Sequence, residues 1–547
     1  MNGLELNRKG VITMGFLEDS GLESFPTKHL HCKMKHAPEL FKETIRKATS
    51  VGRFGYAVRA RAVNEFRNFS NHQKSVWDTR FERAAEIESE LENFLNPGSE
   101  DAKKLQEDAF AQLSFQDSYF KSLNYAPFVL FAIAMFKVWA VPCMALLTPI
   151  LAWILPYIFL KFLYNLPISQ EQYGEIMKMM WTGNPLDFMK DPKGSFKTKI
   201  PSSWTFRSIM QTGLMVFSFV QGLVQPIQNA YHLWKTDRII TENGKKLIEL
   251  AAIYDSFEMD ANAFDIKLQF RSSIEDIRHD DPRLALHIVI DQPERYRIVM
   301  RDLAELELYW RIANYANLRP VMLIEQGLWP LFQADNIFDL SLGDRAVGSS
   351  ISFTGESHHA ALTGPNGGGK SSFLRAVLQC VLLAQTYGVA PADKLVLRRF
   401  GWICSGLRLQ DAPGNLSMFE TEVWFAANLL KDRISRGPGL VLYDELFHST
   451  NPPDGIRTAE LFLRQLWAKK SIVSIISTHV FSLVENAPTD VQRLCCNAKE
   501  VDGTVKFTFN VQEGICRVSS VKNIWDRFGL AAPAVKVPVE NLPTEEK

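Results

Sequence analysis

The sequence has few of the features that mark zinc proteins, secreted proteins or strongly basic nucleic-acid binders. Its seven cysteines are scattered and form no C-x-x-C pair, so we expect no zinc site. Lys and Arg together number 61, as do Asp and Glu, so the net charge is zero and no global basic excess is present. Residues 1–20 lack the basic-then-apolar pattern of a signal peptide, and we expect an intracellular protein with reduced thiols.

Length and composition indicate an ordinary folded chain with several domains. The chain has 547 residues, which suffice for about three or four domains. Hydrophobic residues make up 46% and charged residues 22%, as is typical of folded proteins. Overall neutrality leaves room for DNA binding, because a local basic patch is sufficient.

A glycine-rich segment from Gly364 to Ser371 fits the pattern G-x-x-x-x-G-K-[ST] of a P-loop. Short strand patterns precede it and an apolar helical pattern follows it, which is the order that phosphate binding requires. Lys370 would reach the β- and γ-phosphates of ATP, and Ser371 would bind Mg²⁺. The predicted ATP-binding residues of this loop are Gly364, Pro365, Asn366, Gly367, Gly368, Gly369, Lys370, Ser371 and Ser372.

Two further apolar runs end in residues suited to ATP hydrolysis. Residues 439–445 read as a buried parallel strand that ends in Asp444 and Glu445. Asp444 would hold Mg²⁺, and Glu445 would polarise the attacking water. Residues 471–479 read as another strand, which ends in His479. We predict that His479 senses the γ-phosphate; the alternative is a structural histidine.

These motifs together resemble the MutS family of DNA mismatch repair ATPases. The Pro365-Asn366 pair is typical of that family, although Gly367 stands where the family usually has Met. Residues 444–455 match the family's Walker B loop in length, with residues 447–449 replacing its Gly-Arg-Gly. Residues 417–422 resemble the signature Ser-Thr-Phe-Met-x-Glu, and residues 477–479 resemble Ala-Thr-His.

The resemblance implies a composite ATP site shared by two subunits of a homodimer, with Mg²⁺ as cofactor. Ser417 is then the candidate for contacting the nucleotide bound by the partner. Phe332 stands where the family places an aromatic residue against adenine; a role in the core is the alternative. The resemblance covers residues 325–525, and we predict an ABC-type α/β P-loop ATPase domain over residues 321–530.

The rest of the chain reads as mainly α-helical. We predict a helical N-terminal region over residues 1–125, a lever-like helical region over 165–320 and a flexible tail over 531–547. The triplets Phe16-Leu17-Glu18 and Phe41-Lys42-Glu43 match the family's mismatch-contacting Phe-x-Glu. Their surroundings do not resemble that domain, so we do not predict mismatch recognition from them.

Residues 126–164 form a candidate transmembrane helix or hairpin. Val138 to Leu160 contains no charge, and Lys137 and Lys161 bracket it. This is long enough for a hydrocarbon core of about 30 Å. A second uncharged run, residues 208–234, contains several Gln and Asn. The alternative for both runs is an apolar, buried helical core, and a membrane hairpin combined with a buried second run is also open.

Two functions from different classes follow. The first is a MutS-like, ATP-dependent DNA-binding ATPase in mismatch repair or related DNA metabolism. The alternative is a membrane-tethered MutS-like ATPase that acts on a protein or membrane partner without mismatch recognition. Both place the ATPase domain in the cytosol or nucleus.

Overall fold

The fold is taken from a computed structural model. It describes residues 16–50, 53–95, 98–115, 117–163, 165, 167–174, 206–263, 280–325, 327, 329–355, 357–408, 417–433, 438–501, 504–518 and 525. The predicted tail over 531–547 and most of the loop between the two apolar runs lie outside these residues.

The chain divides into two compact units. The first contains residues 1–85, 256–270 and 300–547, and the second contains 86–255 and 271–299. The predicted boundaries at residues 125, 164 and 320 do not coincide with this division. The predicted N-terminal region, residues 1–125, is divided between the units, and its residues up to 85 fall in the same unit as the ATPase segment.

Up to Asn314 the described residues form helices and no strand. These helices are α1 (Phe16–Ser20), α2 (Phe25–Lys28), α3 (Ala37–Arg46), α4 (Arg53–Arg67), α5 (Asn71–Leu95), α6 (Glu100–Gln112), α7 (Pro127–Met135), α8 (Val141–Ile158), α9 (Phe206–Ala263), α10 (Pro282–Asp291) and α11 (Pro293–Asn314). Residues 81–95, 245–254 and 300–313, whose apolar residues recur at helical spacing, lie within α5, α9 and α11.

The second unit contains both apolar runs. A π-helical turn, Phe136–Ala140, joins α7 to α8. Among the described residues, one helical segment, Pro127–Thr148, is both long enough and apolar enough to cross a membrane. Large apolar side chains along α7 and α8 are exposed; Phe128, for example, is 78% exposed. In the 208–234 run within α9, Phe217 and Trp234 are also exposed. These exposed side chains therefore do not fit the alternative of an apolar, buried helical core. Because one such helix is weak support for a span, membrane insertion stays a prediction.

From Arg319 onward the first unit consists of strands and helices. The strands are β1 (Arg319–Pro320), β2 (Met322–Ile324), β3 (Phe332–Ile337), β4 (Ser349–Phe353), β5 (His359–Thr363), β6 (Val389–Ala390), β7 (Lys394–Arg398), β8 (Trp402–Gly406), β9 (Gly439–Tyr443), β10 (Ile472–Ser477), β11 (Val491–Val501) and β12 (Thr504–Glu513). The helices are α12 (Lys370–Tyr387), α13 (Met418–Asn428), α14 (Pro452–Trp467) and α15 (Phe481–Glu485).

The main sheet has six strands in the order β12-β11-β5-β10-β9-β8. Its strands are parallel except for β12, which pairs antiparallel with β11. Strands β5, β9 and β10 are buried along their whole length, as their largely apolar sequences predict for central parallel strands. A second sheet has the order β2-β7-β3-β4, with β3 antiparallel to β4 and β7.

N-terminal helices of the first unit pack directly on α12. The Phe41 ring stacks on Tyr387 with centroids 5.8 Å apart, and Arg59 Nε donates to the Thr386 carbonyl at 2.9 Å. Gly388 ends α12, and a Cβ atom there would lie 2.6 Å from Ala60 Cβ. The close approach of α4 therefore requires glycine. These contacts make α3 and α4 part of the support for α12.

Candidate functional site

The loops that carry the predicted site residues follow three adjacent strands. β10 lies between β5 and β9 and is parallel to both. Because the carboxyl ends of parallel strands meet at one edge of a sheet, the residues after these strands come together. The glycine-rich loop follows β5, Asp444 and Glu445 follow β9, and His479 follows β10.

The glycine-rich loop, residues 364–369, turns the chain from β5 into α12. Gly364, Gly367 and Gly369 have φ angles of 149°, 77° and 102°, which residues with side chains rarely adopt. Gly369 is the N-cap of α12, which begins at Lys370. The positive end of the helix dipole and the first-turn N–H groups therefore lie at the loop, an arrangement that favours an anion.

Lys370 lies against the inner side of this loop and is 5% exposed. Its Nζ atom donates to the carbonyl oxygens of Gly364 at 2.9 Å and Pro365 at 3.3 Å. Burial lowers the pKa of Lys370, while the nearby carboxylates of Glu445 and Asp444 act in the opposite direction. The ammonium group is thus held at the start of α12, next to the loop.

Asp444 accepts hydrogen bonds from two serines on different elements. Ser371 at the start of α12 donates to one carboxylate oxygen, and Ser477 at the end of β10 donates to the other. Ser477 also accepts the backbone N–H of Glu445 at 3.0 Å. The Ser371 hydroxyl and the Asp444 carboxylate form an oxygen pair of the kind that Mg²⁺ prefers.

Glu445 and His479 form a contact at the same edge. His479 Nε2 lies 3.1 Å from Glu445 Oε1 and 3.3 Å from Lys370 Nζ. The hydrogen bond to His479 lowers the pKa of Glu445, burial opposes this, and the positive charge of Lys370 adds to the lowering. Glu445 has a φ angle of 53°, which is uncommon for a residue other than glycine. The carboxylate is therefore ionised at neutral pH and held in an unusual turn.

A cavity of about 560 Å³ opens beside the glycine-rich loop. The loop and the first turn of α12 form one side, and Glu445 reaches it from the end of β9. Three aromatic residues also line it: Phe338 after β3, Phe373 in α12 and Phe509 in β12. Phe509 is 45% exposed, and its ring carbon Cδ1 would lie 3.6 Å from a Cβ atom at Gly369. The cavity thus combines a loop suited to anions with aromatic surface.

Comparisons with known proteins match the part of the chain that builds this edge. Residues 360–536 match the family model MutS domain V. The chain is 32% identical over 179 residues to the "DNA mismatch repair protein MSH1, mitochondrial" of Arabidopsis thaliana. It is 29% identical over 257 residues to the "DNA mismatch repair protein MutS" of two Thermus thermophilus strains. Residues 360–536 therefore belong to the MutS family, as its domain V.

The match covers only part of each protein. It includes 32% of this chain and 16% of the Arabidopsis protein, and 45% of this chain and about 30% of the Thermus proteins. The chain therefore spans well under half of the length of the MutS-family relatives it matches. The resemblance predicted from the motifs is confirmed at the level of the family.

Most predicted residues of the MutS-family site lie together, but Phe332 does not. The cavity is lined by eight of the predicted residues: Pro365, Asn366, Gly367, Gly369, Lys370, Ser371, Ser372 and Glu445. Phe332 is fully buried in β3, which pairs with β4 and β7, and it is not among the lining residues. The structure therefore supports the core alternative for Phe332, and Phe338 and Phe509 supply the aromatic surface instead.

Sequence reasoning missed Phe338, Phe509 and Ser477. Phe338 lies six residues after Phe332, immediately after the end of the same strand. Phe509 reaches the cavity because the hairpin of β11 and β12 extends the sheet beyond β5. Its φ angle of 58° has no visible signal in the sequence. Ser477 could have been found, since it begins the Ser-Thr-His motif.

Ser417 is the N-cap of α13 and is not among the residues that line the cavity. Its side chain accepts from the Glu420 N–H at 3.3 Å, and the Glu420 carboxylate accepts from the Ser417 N–H at 2.8 Å. This capping box explains the local need for Ser and Glu at this spacing. Ser417 is exposed, as a contact with a MutS-family partner requires, and that role stays a prediction.

Proposed function

We propose that this MutS-family chain binds ATP with Mg²⁺ at the glycine-rich loop and hydrolyses it. The observation that carries the proposal is the meeting of Lys370, Glu445 and His479 within hydrogen-bonding distance at the carboxyl edge of the sheet. ATPase activity is general among P-loop proteins with this set of residues. The volume of the cavity, about 560 Å³, falls within the range that is common for small-molecule sites.

In this proposal the chain contributes position and charge. Backbone N–H groups of the loop and Lys370 hold the phosphates of ATP. Phe338 and Phe509 offer aromatic surface to its adenine ring. Glu445, ionised because its pKa is lowered, accepts a proton from the attacking water. His479, next to both Glu445 and Lys370, orients the carboxylate and responds to the γ-phosphate.

Ser371 and Asp444 would hold Mg²⁺, which supplies neutralisation of phosphate charge when bound. Their fit to the ion rests on donor chemistry, because a hydroxyl and a carboxylate already in contact provide two hard oxygen ligands. Ser477 donates to the other oxygen of Asp444 and keeps that carboxylate oriented. The same hydroxyl fixes the backbone of Glu445, so the Mg²⁺ ligand and the base are positioned together.

The test of ATP hydrolysis is phosphate release by the full chain and two variants. For Glu445→Gln we expect turnover to fall about 10²- to 10⁴-fold while ATP still binds. For Lys370→Ala we expect ATP binding itself to be lost. The exposed Glu460 in α14 offers a matched control as Glu460→Gln, which should leave both unchanged. Undiminished turnover in Glu445→Gln would contradict the proposed role of this carboxylate.

We further propose that the chain works as a homodimer on DNA, in mismatch repair or related DNA metabolism. The support is family membership and the names of its relatives, which are DNA mismatch repair proteins. ATP would be shared between one glycine-rich loop and Ser417 of the other subunit. Binding to duplex DNA, measured from about 50 to 200 mM salt, should weaken steeply as salt rises. Absence of binding at the lowest salt would contradict the DNA part.

A second candidate is a membrane-tethered MutS-family ATPase that acts on a protein or membrane partner without mismatch recognition. The exposed apolar helix Pro127–Thr148 favours it, because water-exposed apolar surface of this length is unfavourable outside a bilayer or an interface. Fractionation of cells with and without detergent tests it. The chain should sediment with membranes and be released by detergent alone; release by high salt or alkaline carbonate would contradict insertion.

The place of the protein in the cell follows from these proposals. An ATP-dependent enzyme on DNA would act inside the cell, in the cytosol or nucleus or in an organelle that contains DNA. The name of the Arabidopsis relative includes the word mitochondrial, which describes the location of that protein alone. The tethered alternative would keep the ATPase unit on the side of the membrane where ATP is present.

A further inference from the structure

A buried carboxylate connects helix α13 to the turn that carries Glu445. Glu422 lies in α13 and is 1% exposed. Its Oε2 atom accepts from the Ser449 hydroxyl at 2.6 Å, and its Oε1 atom lies 3.2 Å from His448 Nδ1. Both partners belong to the segment that follows Glu445. A carboxylate buried this deeply requires such donors, so the two segments are held at a fixed distance.

His448 extends the connection to the backbone of Glu445. The same Nδ1 atom lies 2.9 Å from the Glu445 carbonyl oxygen. A carbonyl oxygen and a carboxylate both accept hydrogen bonds, so Nδ1 must carry the proton in this arrangement. The imidazole therefore bridges Glu422 and the peptide that sets the direction of Glu445.

The turn needs support of this kind because its backbone is strained. Glu445 and Phe447 have φ angles of 53° and 50°, a region that disfavours side chains. Such conformations persist where surrounding contacts determine them. Phe447 also meets Phe419 of α13 edge to face, with ring centroids 6.3 Å apart. Helix α13 thus contacts the turn through both an apolar and a polar pair.

We propose that Glu422 is a positioning residue that couples the location of α13 to the orientation of the Glu445 carboxylate. The inference rests on the proposed ATPase function. The N-cap of α13 is Ser417, the residue proposed to meet the partner's nucleotide. Engagement of Ser417 by a partner would shift α13, and Glu422 would transmit that shift through His448 and Ser449 to Glu445. Hydrolysis in one site would in this way depend on occupancy of the other.

The test separates catalytic rate from ATP affinity in Glu422→Ala and Glu422→Gln. With Ala, kcat for ATP should fall about 10- to 100-fold, because small displacements of a catalytic group have effects of this size. The KM for ATP should change less than about two-fold, since Glu422 touches neither the loop nor Lys370. Gln keeps an oxygen that accepts from Ser449 and should recover part of kcat. The exposed Glu460→Ala in α14 is the matched control and should resemble wild type.

Variants of the two partners of Glu422 separate loss of positioning from loss of folding, because they leave the buried carboxylate in place. His448→Ala removes the contacts of Nδ1 with Glu422 and with the Glu445 carbonyl, and Ser449→Ala removes one hydrogen bond to Glu422. Each variant should lower kcat at constant KM. In combination with Glu422→Gln their effects should be less than additive, as expected for one connected unit. The inference would be overturned if kcat were equal in wild type and Glu422→Ala, or if KM for ATP rose by the same factor as kcat fell. If the wild-type chain itself hydrolyses no ATP, the proposed ATPase function fails, and the positioning role of Glu422 fails with it.

Discussion

The Nε2 atom of His479 lies 3.1 Å from Glu445 Oε1 and is also within 3.3 Å of Lys370 Nζ. One nitrogen cannot donate to the carboxylate and accept from the ammonium at the same time, so the tautomer of His479 decides which contact is a hydrogen bond. Donation to Glu445 accounts for the lowered pKa of that carboxyl group. A phosphate that drew Lys370 away would leave His479 with Glu445 alone. His479 is therefore placed to change its hydrogen bond with the catalytic base, Glu445, when phosphate binds to Lys370.

His479→Ala should move the acid limb of the pH profile. Glu445 must be ionised to accept a proton, and its lowered pKa keeps it ionised at pH values below its ordinary range. Without His479 the pKa rises, so kcat should begin to fall at a higher pH than in wild type as the solution is acidified. The measurement is kcat for ATP from about pH 4 to 8. The exposed His232→Ala serves as control. An acid limb at the same pH in wild type and His479→Ala would contradict the coupling.

Phe509→Ala and Phe338→Ala should weaken ATP binding without unfolding the protein. Aromatic contacts of this kind contribute about 0.5–1.5 kcal/mol, which corresponds to a rise in KM of about 2- to 10-fold for each. Phe332→Ala should behave differently, because truncation of a fully buried Phe costs about 3–5 kcal/mol of stability. Urea unfolding and ATP binding measured on the three variants distinguish the two roles. Loss of ATP affinity in a well-folded Phe332→Leu variant would restore the original prediction for Phe332.

Motif chemistry explains why much of the site was predictable. The glycine-rich loop, Asp444-Glu445 and His479 each need particular residues at fixed spacing, and parallel strands bring them to one edge. Phe332 could not be resolved in the same way, because alternation along β3 and pairing with two neighbouring strands decide which aromatic faces the cavity. The packing of α3 and α4 on α12 joins residues more than 300 positions apart, which no local pattern records. The left-handed turn at Glu445 and its support by Glu422 are likewise products of tertiary contact.

Gly439→Ala should destabilise the first unit because of Trp402. These residues face each other across β8 and β9, and a Cβ atom at Gly439 would lie 2.1 Å from the Trp402 ring. Such overpacking costs about 1–3 kcal/mol or more in a well-packed core. The change is measured as a fall in the urea midpoint, with Gly98→Ala, where nothing lies within 4 Å, as control. In a Trp402→Leu background the same substitution should cost less. Equal costs in both backgrounds would show that the indole is not the obstacle.

His359 should make the first unit less stable in mild acid. It is buried in β5, its Nδ1 atom lies 2.8 Å from Ser474 Oγ, and burial lowers its pKa to about 4. The unfolded chain takes up a proton near its ordinary pKa of 6.5 while the folded chain does not. Stability is therefore complete above about pH 6.5 and is lost as the pH falls toward 4.

Between pH 7.5 and 5.5 the His359 contribution to the free energy of unfolding should fall by an amount on the order of 1 kcal/mol. His359→Gln removes this titration, so the urea midpoint of that variant should depend less on pH than that of wild type over the same interval. The exposed His72→Gln is the matched control and should keep the wild-type dependence. Two other histidines with lowered pKa values, the half-buried His287 and the buried His358, add their own acid sensitivity, which the variant leaves in place. Because the comparison is between slopes, a lower absolute stability of His359→Gln does not obscure it. An unchanged slope would mean that His359 titrates in the folded chain as it does in the unfolded one.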